Sequence, residues 1–175
     1  MGSMPDLYPV FSESEIARGV RDLARRISED YAGADLVLVG VLNGAFIFLA
    51  DLARQITTPH KIDFVRVRSY GGSTQSAGSI SLTKDLELDI KGKDVLLVED
   101  IIDTGLSIDF LKKRLALLSP RSLKVCAAID KDERREKAVD VDYRCFRVNR
   151  GFLVGYGLDM AEQYRSLPAI YEIKP

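Results

Sequence analysis

The run VLLVEDIIDTGLS, from Val95 to Ser107, constrains the fold of this chain more than any other stretch. It begins with apolar residues that do not alternate with polar ones, which predicts a strand buried on both faces. Two acids, Glu99 and Asp100, follow directly, and Asp103-Thr104-Gly105 then opens a turn. Apolar residues at three- and four-residue spacing after the turn predict a helix with one face on the sheet. The run therefore predicts a strand, turn and helix of an α/β protein.

The turn after this strand has the chemistry of an anion site. The first N–H groups of a helix lack intrahelical partners and carry the positive end of its dipole, and the hydroxyls of Thr104 and Ser107 add donors. Gly105 has no Cβ that would keep a ligand away from the backbone. Glu99 and Asp100, at the carboxyl end of the strand, suit sugar hydroxyls or a hard cation such as Mg²⁺. These residues favour a phosphorylated sugar, although the same strand, turn and helix also occur throughout α/β proteins that bind nothing there.

The order of these residues resembles the 5-phosphoribosyl diphosphate (PRPP) signature of type I phosphoribosyltransferases: a hydrophobic strand, two acids, two hydrophobic residues, then Asp-Thr-Gly. The segments GVLNGAF, VRSYGG, AIDK and RGFLVGYGLDMAEQYRSLP are similar to those of bacterial hypoxanthine-guanine phosphoribosyltransferases. This resemblance covers most of the chain. It implies a three-layer α/β fold, with a mostly parallel central sheet flanked by helices and a small hood formed from the termini.

Length and composition indicate one compact domain. The chain has 175 residues, 46% of them hydrophobic and 29% charged, which suits a single domain over residues 4–175. Met1-Gly2-Ser3 ahead of Met4 is typical of a remnant of cloning. A net charge of −1 gives no overall attraction to nucleic acid or to an anionic membrane. The longest apolar run, LVLVGVL, is too short to cross a bilayer, and no signal-peptide pattern precedes it, so we expect a cytoplasmic protein.

The cysteines and the single histidine do not indicate a metal centre. Cys126 and Cys145 fall in predicted strands and form no CxxC pair, which favours buried free thiols over a disulfide or a metal site. His60 follows Pro59 and is expected on a surface loop. One histidine cannot build a multi-histidine zinc site.

The remaining elements follow from periodicity and from helix and turn signals. Ser12 and Glu15 form a capping box ahead of an amphipathic helix that Gly33 ends. Residues 131–137, KDERREK, have the mixed charge of a solvated loop. The other predicted elements are a strand over Leu36–Leu42, a helix from Phe46 to Ile56, and strands over Lys61–Tyr70, from Ser81, over Leu123–Asp130, in YRCFRV, in FLVGYGLD and near the end of the chain.

Two stretches leave alternatives open. In the strand Lys61–Tyr70 the apolar face switches between Phe64 and Val65, which indicates either a bulge or a first half that is covered on both sides. Residues 71–80, GGSTQSAGSI, contain little that could be buried and exceed the usual length of a connection. This favours a lid over an idle linker.

The resemblance assigns roles by position. Asp103 would be the general base at purine N7, Glu99 and Asp100 would face the ribose hydroxyls and a metal, and Asp159 would hold a second Mg²⁺. The 5′-phosphate would bind at Asp103, Thr104, Gly105, Leu106 and Ser107; the pyrophosphate at Leu42, Asn43, Gly44, Ser69, Tyr70 and Arg165; the purine at Lys131, Phe152 and Leu153. Leu42-Asn43-Gly44 matches a loop that can carry a non-proline cis peptide, and Ser69 and Tyr70 match the start of a closing loop.

The resemblance also implies an activity: purine salvage, in which hypoxanthine or guanine and PRPP give IMP or GMP and pyrophosphate, with Mg²⁺ and in a homodimer or homotetramer. One departure is Asn43, which stands where many relatives have lysine or arginine; a grip that needs a side-chain charge would then weaken PRPP binding. The alternatives are a non-catalytic PRPP or nucleotide sensor on the same fold, and a transferase that acts on xanthine or a pyrimidine.

Overall fold

The computed structural model describes residues 6–70 and 79–174, which form a six-stranded sheet and a three-stranded sheet. The helices are α1 (Glu13–Asp30), α2 (Phe46–Ala53) and α3 (Leu106–Ala116). The strands are β1 (Leu7–Phe11), β2 (Leu36–Leu42), β3 (His60–Tyr70), β4 (Ser79–Lys84), β5 (Asp94–Ile102), β6 (Ser122–Lys131), β7 (Tyr143–Val148), β8 (Phe152–Val154) and β9 (Ile170–Ile173). None of the helices in these residues is long and apolar enough to span a lipid bilayer.

The larger sheet has the strand order β4-β3-β2-β5-β6-β7 and is parallel except for the β3–β4 pair. Alternate residues of β2 and β5 point to opposite faces, and both faces are covered. Leu36, Leu38, Leu96 and Val98 join one core cluster with α1 and α2, whereas the residues between them join a second cluster with α3. The predicted layers of helix, sheet and helix are therefore confirmed.

The smaller sheet forms a hood from the two ends of the chain, as predicted. It has the order β1-β9-β8 and is antiparallel. Phe11 of β1 stacks on Phe146 of β7, with ring centroids 3.9 Å apart, and this contact joins the hood to the larger sheet. The hood positions β8, which carries Phe152, at one end of the larger sheet.

The capping box at the start of α1 is present as predicted. The Ser12 hydroxyl accepts the Glu15 N–H, and the Glu15 carboxylate accepts the Ser12 N–H. Gly33, with φ of +75°, follows the end of α1 at Tyr31. The buried face of this helix packs in the first core cluster, on one face of the larger sheet.

Around the switch of apolar face in β3 both faces are covered, which was one of the two expected causes: Phe64 packs on the first core cluster and Val65 lies in the second. Asp63 takes an inward position on the same face as Val65, and its carboxylate accepts the N–H groups of Phe64, Glu87 and Leu88 at 2.7–2.8 Å. Asp63 can be buried because its carboxylate accepts backbone N–H groups of the chain that follows β4. The register shift of this strand lies later, at Arg66 against β4.

Three smaller predictions are corrected. His60 opens β3 and pairs with Leu36, so it does not lie in a surface loop. The helix α2 ends at Ala53, and of FLVGYGLD only Phe152–Val154 is a strand, because the following glycines at positive φ form turns. Both cysteines are free thiols, as predicted. Of the expected lid, residues 71–78 lie outside the described residues.

Candidate active site

The predicted site residues of β2, β5 and β6 lie at or just beyond the carboxyl ends of these neighbouring parallel strands. Leu42 ends β2 and Asn43 and Gly44 follow it in the loop, the turn after β5 carries Asp103 to Gly105, and β6 ends at Lys131. Because β5 lies between β2 and β6, these ends are adjacent. Ligands of open α/β sheets bind in this position.

The two acids are the last polar side chains of β5, where Glu99 is buried and Asp100 is partly buried. Burial and the neighbouring charge of Asp100 raise the pKa of Glu99 well above its ordinary value. Burial also raises the pKa of Asp100, although the positive charge of Arg165 opposes the rise. An ionised pair here is unfavourable without a compensating cation, so the pair suits a site that is completed by a metal ion or by hydroxyl donors.

The loop after β2 approaches the acids so closely that only glycine fits. A Cβ on Gly44 would overlap the carboxylate of Asp100, and a Cβ on Gly157 would overlap the carbonyl oxygen of Gly44. Gly157 also has φ of +100°, which favours glycine. The peptide bond between Leu42 and Asn43 is cis, as the resemblance allowed. Two loops and one carboxylate are therefore in direct contact at this point.

Arg165 and Asp159 lie at the same corner. Arg165 donates to the Gly157 carbonyl at 2.8 Å and lies 3.0 Å from a carboxylate oxygen of Asp159. The other Asp159 oxygen accepts the Glu162 N–H at 2.8 Å. Positive φ angles at Ala161, Glu162 and Tyr164 mark the tight turns that bring Arg165 back to Asp159. The cation Arg165 and the acid Asp159 therefore lie beside the contact between Gly157 and Gly44.

The turn after β5 encloses a cavity of about 150 Å³ that is lined by residues 99–105, Ser107 and Ile108. Gly105 is the N-cap of α3 and has φ of +80°. The Thr104 hydroxyl accepts the Leu106 N–H at 3.3 Å, which leaves the hydroxyl proton available to a ligand. This cavity is of a size and polarity that suit a phosphate group.

Asp103 projects from this turn and is held by cations. One carboxylate oxygen accepts two donors from Arg134 and lies 3.7 Å from the Lys131 ammonium. The other oxygen is buried and has no partner among the described residues. A carboxylate with one cation-bound oxygen can exchange that partner for a ligand donor.

Lys131 and Phe152 lie together at the hood side of the site. The Lys131 ammonium donates to the Gly151 carbonyl at 2.8 Å, directly before Phe152. Phe152 is 49% exposed although it is aromatic, whereas Leu153 is buried. In the hood sheet of the described residues, β8 is an edge strand, so one edge of its backbone is available to a ligand. An exposed ring, an ammonium group and a free strand edge suit a flat polar heterocycle.

Ser69 and Tyr70 end β3, where they pair with Ile80 and Ser79 of β4. They therefore end the described part of β3, and residues 71–78, which follow, lie outside the described residues.

The charged segment 131–137 was predicted as a solvated loop, and residues 132–137 do form a loop in which residues 133, 134, 136 and 137 are exposed, although Lys131 ends β6 and is buried. Glu133 accepts the Gly151 N–H at 3.1 Å, Arg134 binds Asp103, and Arg135 binds the turn after β5. Charge composition alone did not predict these contacts, because the partners of Glu133, Arg134 and Arg135 lie on distant parts of the chain. The available signal was the pair of arginines that follows the buried Asp-Lys end of β6 after two intervening residues.

A comparison with protein families supports this geometry. The model described as "Phosphoribosyl transferase domain" matches residues 10–161. The chain belongs to the phosphoribosyltransferase family.

Individual phosphoribosyltransferases are similar over almost their whole length. The chain is 43% identical to the hypoxanthine phosphoribosyltransferase of Salmonella typhimurium, with 92% of each chain covered. It is 44% identical to the hypoxanthine-guanine phosphoribosyltransferase of Aquifex aeolicus, over 94% of this chain and 93% of that one. The crystal structure of a hypoxanthine phosphoribosyltransferase from Staphylococcus aureus has a TM-score of 0.91 and 38% identity, and covers 95% of this chain and 91% of the other.

The acids of this phosphoribosyltransferase fit the Mg²⁺ that the family generally uses with PRPP. Among the described residues, no group of three or more histidine, cysteine, aspartate or glutamate side chains forms a complete metal site. Magnesium is commonly held by one or two carboxylates, with substrate and water oxygens completing its shell. The neighbouring carboxyl groups of Glu99 and Asp100, whose pKa values are raised mainly by burial, match this requirement.

Proposed function

We propose that this phosphoribosyltransferase salvages purines by transferring the 5-phosphoribosyl group of PRPP to N9 of hypoxanthine or guanine. The products are IMP or GMP and pyrophosphate. The observation that carries the proposal is that three features lie together at one end of the sheet. They are the turn after β5, which suits an anion, the acids Glu99 and Asp100, and the edge of β8 at Phe152, which suits a heterocycle. The names of the curated relatives point to the same 6-oxopurine bases.

The ribose phosphate would occupy the turn after β5. Its 5′-phosphate would bind the backbone N–H groups and hydroxyls of the run from Asp103 through Thr104, Gly105 and Leu106 to Ser107. Glu99 and Asp100 would bind the ribose hydroxyls. Asp159 would approach from the opposite corner and share a cation with the substrate. When bound by these acids, Mg²⁺ would neutralise charge on the departing pyrophosphate.

The pyrophosphate would lie on the loop after β2. The N–H groups of Asn43 and Gly44, the backbone at Leu42 and the guanidinium of Arg165 would stabilise its negative charge, together with Ser69 and Tyr70 at the end of β3. Stabilisation of the leaving group is the main term that the protein itself would contribute to catalysis.

The purine would lie between Phe152 and the sugar. Phe152 would stack on its face, Lys131 would donate to O6, and the backbone of Leu153 would bind the far edge. Purine N9 attacks C1′ as the bond to pyrophosphate breaks, and Asp103 accepts the N7 proton. For this step Arg134 must release the exposed oxygen of Asp103, because the other oxygen is buried.

Other features are part of the same proposal. A cytoplasmic location agrees with two free thiols, because oxidising compartments favour disulfides. We also propose a homodimer or homotetramer, which light scattering after size-exclusion chromatography measures. The relatives' names favour catalysis over a sensor, and hypoxanthine and guanine over xanthine or a pyrimidine.

The direct test mixes the protein, MgCl₂ and PRPP with hypoxanthine, guanine, xanthine, adenine or uracil in turn. Pyrophosphate release with hypoxanthine or guanine is expected. Release of pyrophosphate with only xanthine or uracil would change the proposed substrate class. The absence of release with every base would contradict the proposal.

A further inference from the structure

The charged segment 131–137 packs against the turn after β5 and binds the carbonyl oxygens of that turn. The N–H groups of Glu136 and Lys137 both donate to the Thr104 carbonyl, at 2.9 and 3.0 Å. Gly105 lies so close to this segment that a Cβ would stand 2.6 Å from the Lys137 carbonyl oxygen. The segment is therefore packed against the turn along its length.

Arg135 makes the central contacts of this packing. Its Nε donates to the Asp103 carbonyl at 2.8 Å, and one Nη lies within hydrogen-bond distance of the carbonyls of Ile102 (3.1 Å) and Lys131 (2.9 Å). The same Nη lies 2.7 Å from a carboxylate oxygen of Asp130, which is only 4% exposed. The planar guanidinium presents its donors in a rigid fork, so these acceptors are held in one arrangement.

These contacts set the direction of the N–H groups on the opposite side of the turn. In a trans peptide the carbonyl of one residue and the N–H of the next point in opposite directions. The carbonyls of Ile102, Asp103 and Thr104 point to Arg135 and its segment, so the N–H groups of Asp103, Thr104 and Gly105 point away from it. The cavity of the turn is lined by residues 99–105, 107 and 108 and by none of 131–137, so it lies on the N–H side.

The N–H groups of Thr104 and Gly105 have no acceptor among the described residues. Successive N–H groups that point into one concavity bind anions. The carbonyl bonds leave the turn little freedom to rotate these donors away, and the bond to the Lys131 carbonyl joins the same guanidinium to the end of β6.

We propose that Arg135 is a positioning residue: it binds the carbonyl side of the turn after β5 and so aims successive N–H groups at the 5′-phosphate. It also sets the distance between that phosphate and Lys131. This inference rests on the proposed function for the identity of the ligand, but the orientation of the turn does not depend on the transfer reaction.

A matched pair of variants separates positioning from stability. Arg144 donates to the other oxygen of Asp130 at 3.0 Å and has no hydrogen bond to the turn. Arg135→Met and Arg144→Met therefore each remove one guanidinium from Asp130, but only the first frees the carbonyls of Ile102 and Asp103. Arg135→Lys, which keeps the charge and loses the fork, should fall between Arg135→Met and the wild type.

The measurements are KM for PRPP, kcat, melting temperature, and the shifts of the Asp103, Thr104 and Gly105 amide resonances on titration with inorganic phosphate. We expect Arg135→Met to raise KM for PRPP and the phosphate Kd by roughly tenfold or more, as for loss of hydrogen bonds to a charged group. Added guanidinium ion should restore part of the loss. Arg144→Met should leave both constants within about twofold of the wild type even where it lowers the melting temperature.

Equal constants for the two methionine variants would overturn the positioning role and leave the proposed function intact. Weaker phosphate binding in Arg135→Met, together with no pyrophosphate release from the wild type with any base, would support the positioning role and contradict the proposed function. Wild-type amides that do not respond to phosphate would overturn the positioning role, and the proposed function would still stand if the wild type released pyrophosphate with hypoxanthine or guanine.

Discussion

At the scale of single residues, Asp103 has two different oxygens, one bound by Arg134 and one buried. Asp103→Asn keeps the size of the side chain but removes its capacity to accept a proton. We expect kcat to fall by roughly a hundredfold or more, with KM for PRPP nearly unchanged. Steady-state kinetics with hypoxanthine measure both constants, and an unchanged kcat would remove Asp103 from the role of base.

Glu99 provides a pH-dependent prediction for stability. Its pKa in the folded protein lies well above the ordinary 4.5, so between these two values the folded state binds more protons than the unfolded state. The free energy of unfolding must therefore fall as pH rises through this window. Glu99→Gln cannot ionise and should raise the melting temperature at about pH 8.5 more than at about pH 4.5. Melting curves without Mg²⁺ measure this, and an equal change at both pH values would contradict it.

Asn43 stands at the start of the loop after β2 and adds no charge to it. If the pyrophosphate is bound there by backbone N–H groups alone, Asn43→Lys adds a cation to an anion site and should lower KM for PRPP several-fold, with KM for hypoxanthine unchanged. Initial rates at varied PRPP test this. A higher KM for PRPP would show that a longer side chain obstructs the loop.

At the scale of elements, the loop after β2 and the start of α1 differ in what they contribute. Gly44→Ala would drive a methyl group into the carboxylate of Asp100, so we expect activity to fall by at least tenfold. Ser12→Ala removes the capping box, which should cost about 1 kcal/mol of stability and leave kcat unchanged. Denaturant titration and kinetics of both variants compare the two effects. A loss of activity in Ser12→Ala but not in Gly44→Ala would contradict the view that the loop after β2 serves activity and the start of α1 serves stability.

At the scale of the whole molecule, the hood connects the two ends of the chain to the purine side of the site. A chain that begins at Ser12 loses β1, the partner of β9, and with it the stacking of Phe11 on Phe146. Because β9 also holds β8, Phe152 should become less well placed, so KM for hypoxanthine should rise more than KM for PRPP. Tyr8→Ala, at an exposed position of β1, is the control. Equal increases in both KM values would indicate general loss of structure.

Much of the fold and part of the site were predictable because they depend on local order. Leu36–Leu42 has no polar residue and is the strand β2 as predicted, and the capping box at Ser12 specifies its helix start within one turn. The signature from Glu99 to Ser107 is contiguous, so its strand, turn and helix follow from one stretch of chain. The exposed ring of Phe152 and its closeness to Lys131 could only be expected from the family resemblance.

The amino-acid sequence by itself determined the alternation of strands and helices, the position of the acids at a strand end and the family. Only the tertiary structure decided where isolated charges lie: Asp63 is buried beneath Glu87 and Leu88, and Arg135 binds the turn that begins at Asp103. The reason is physical. Local patterns depend on neighbours a few residues apart, whereas a charge is placed by partners that the fold brings from far along the chain, and nothing in its own segment specifies them.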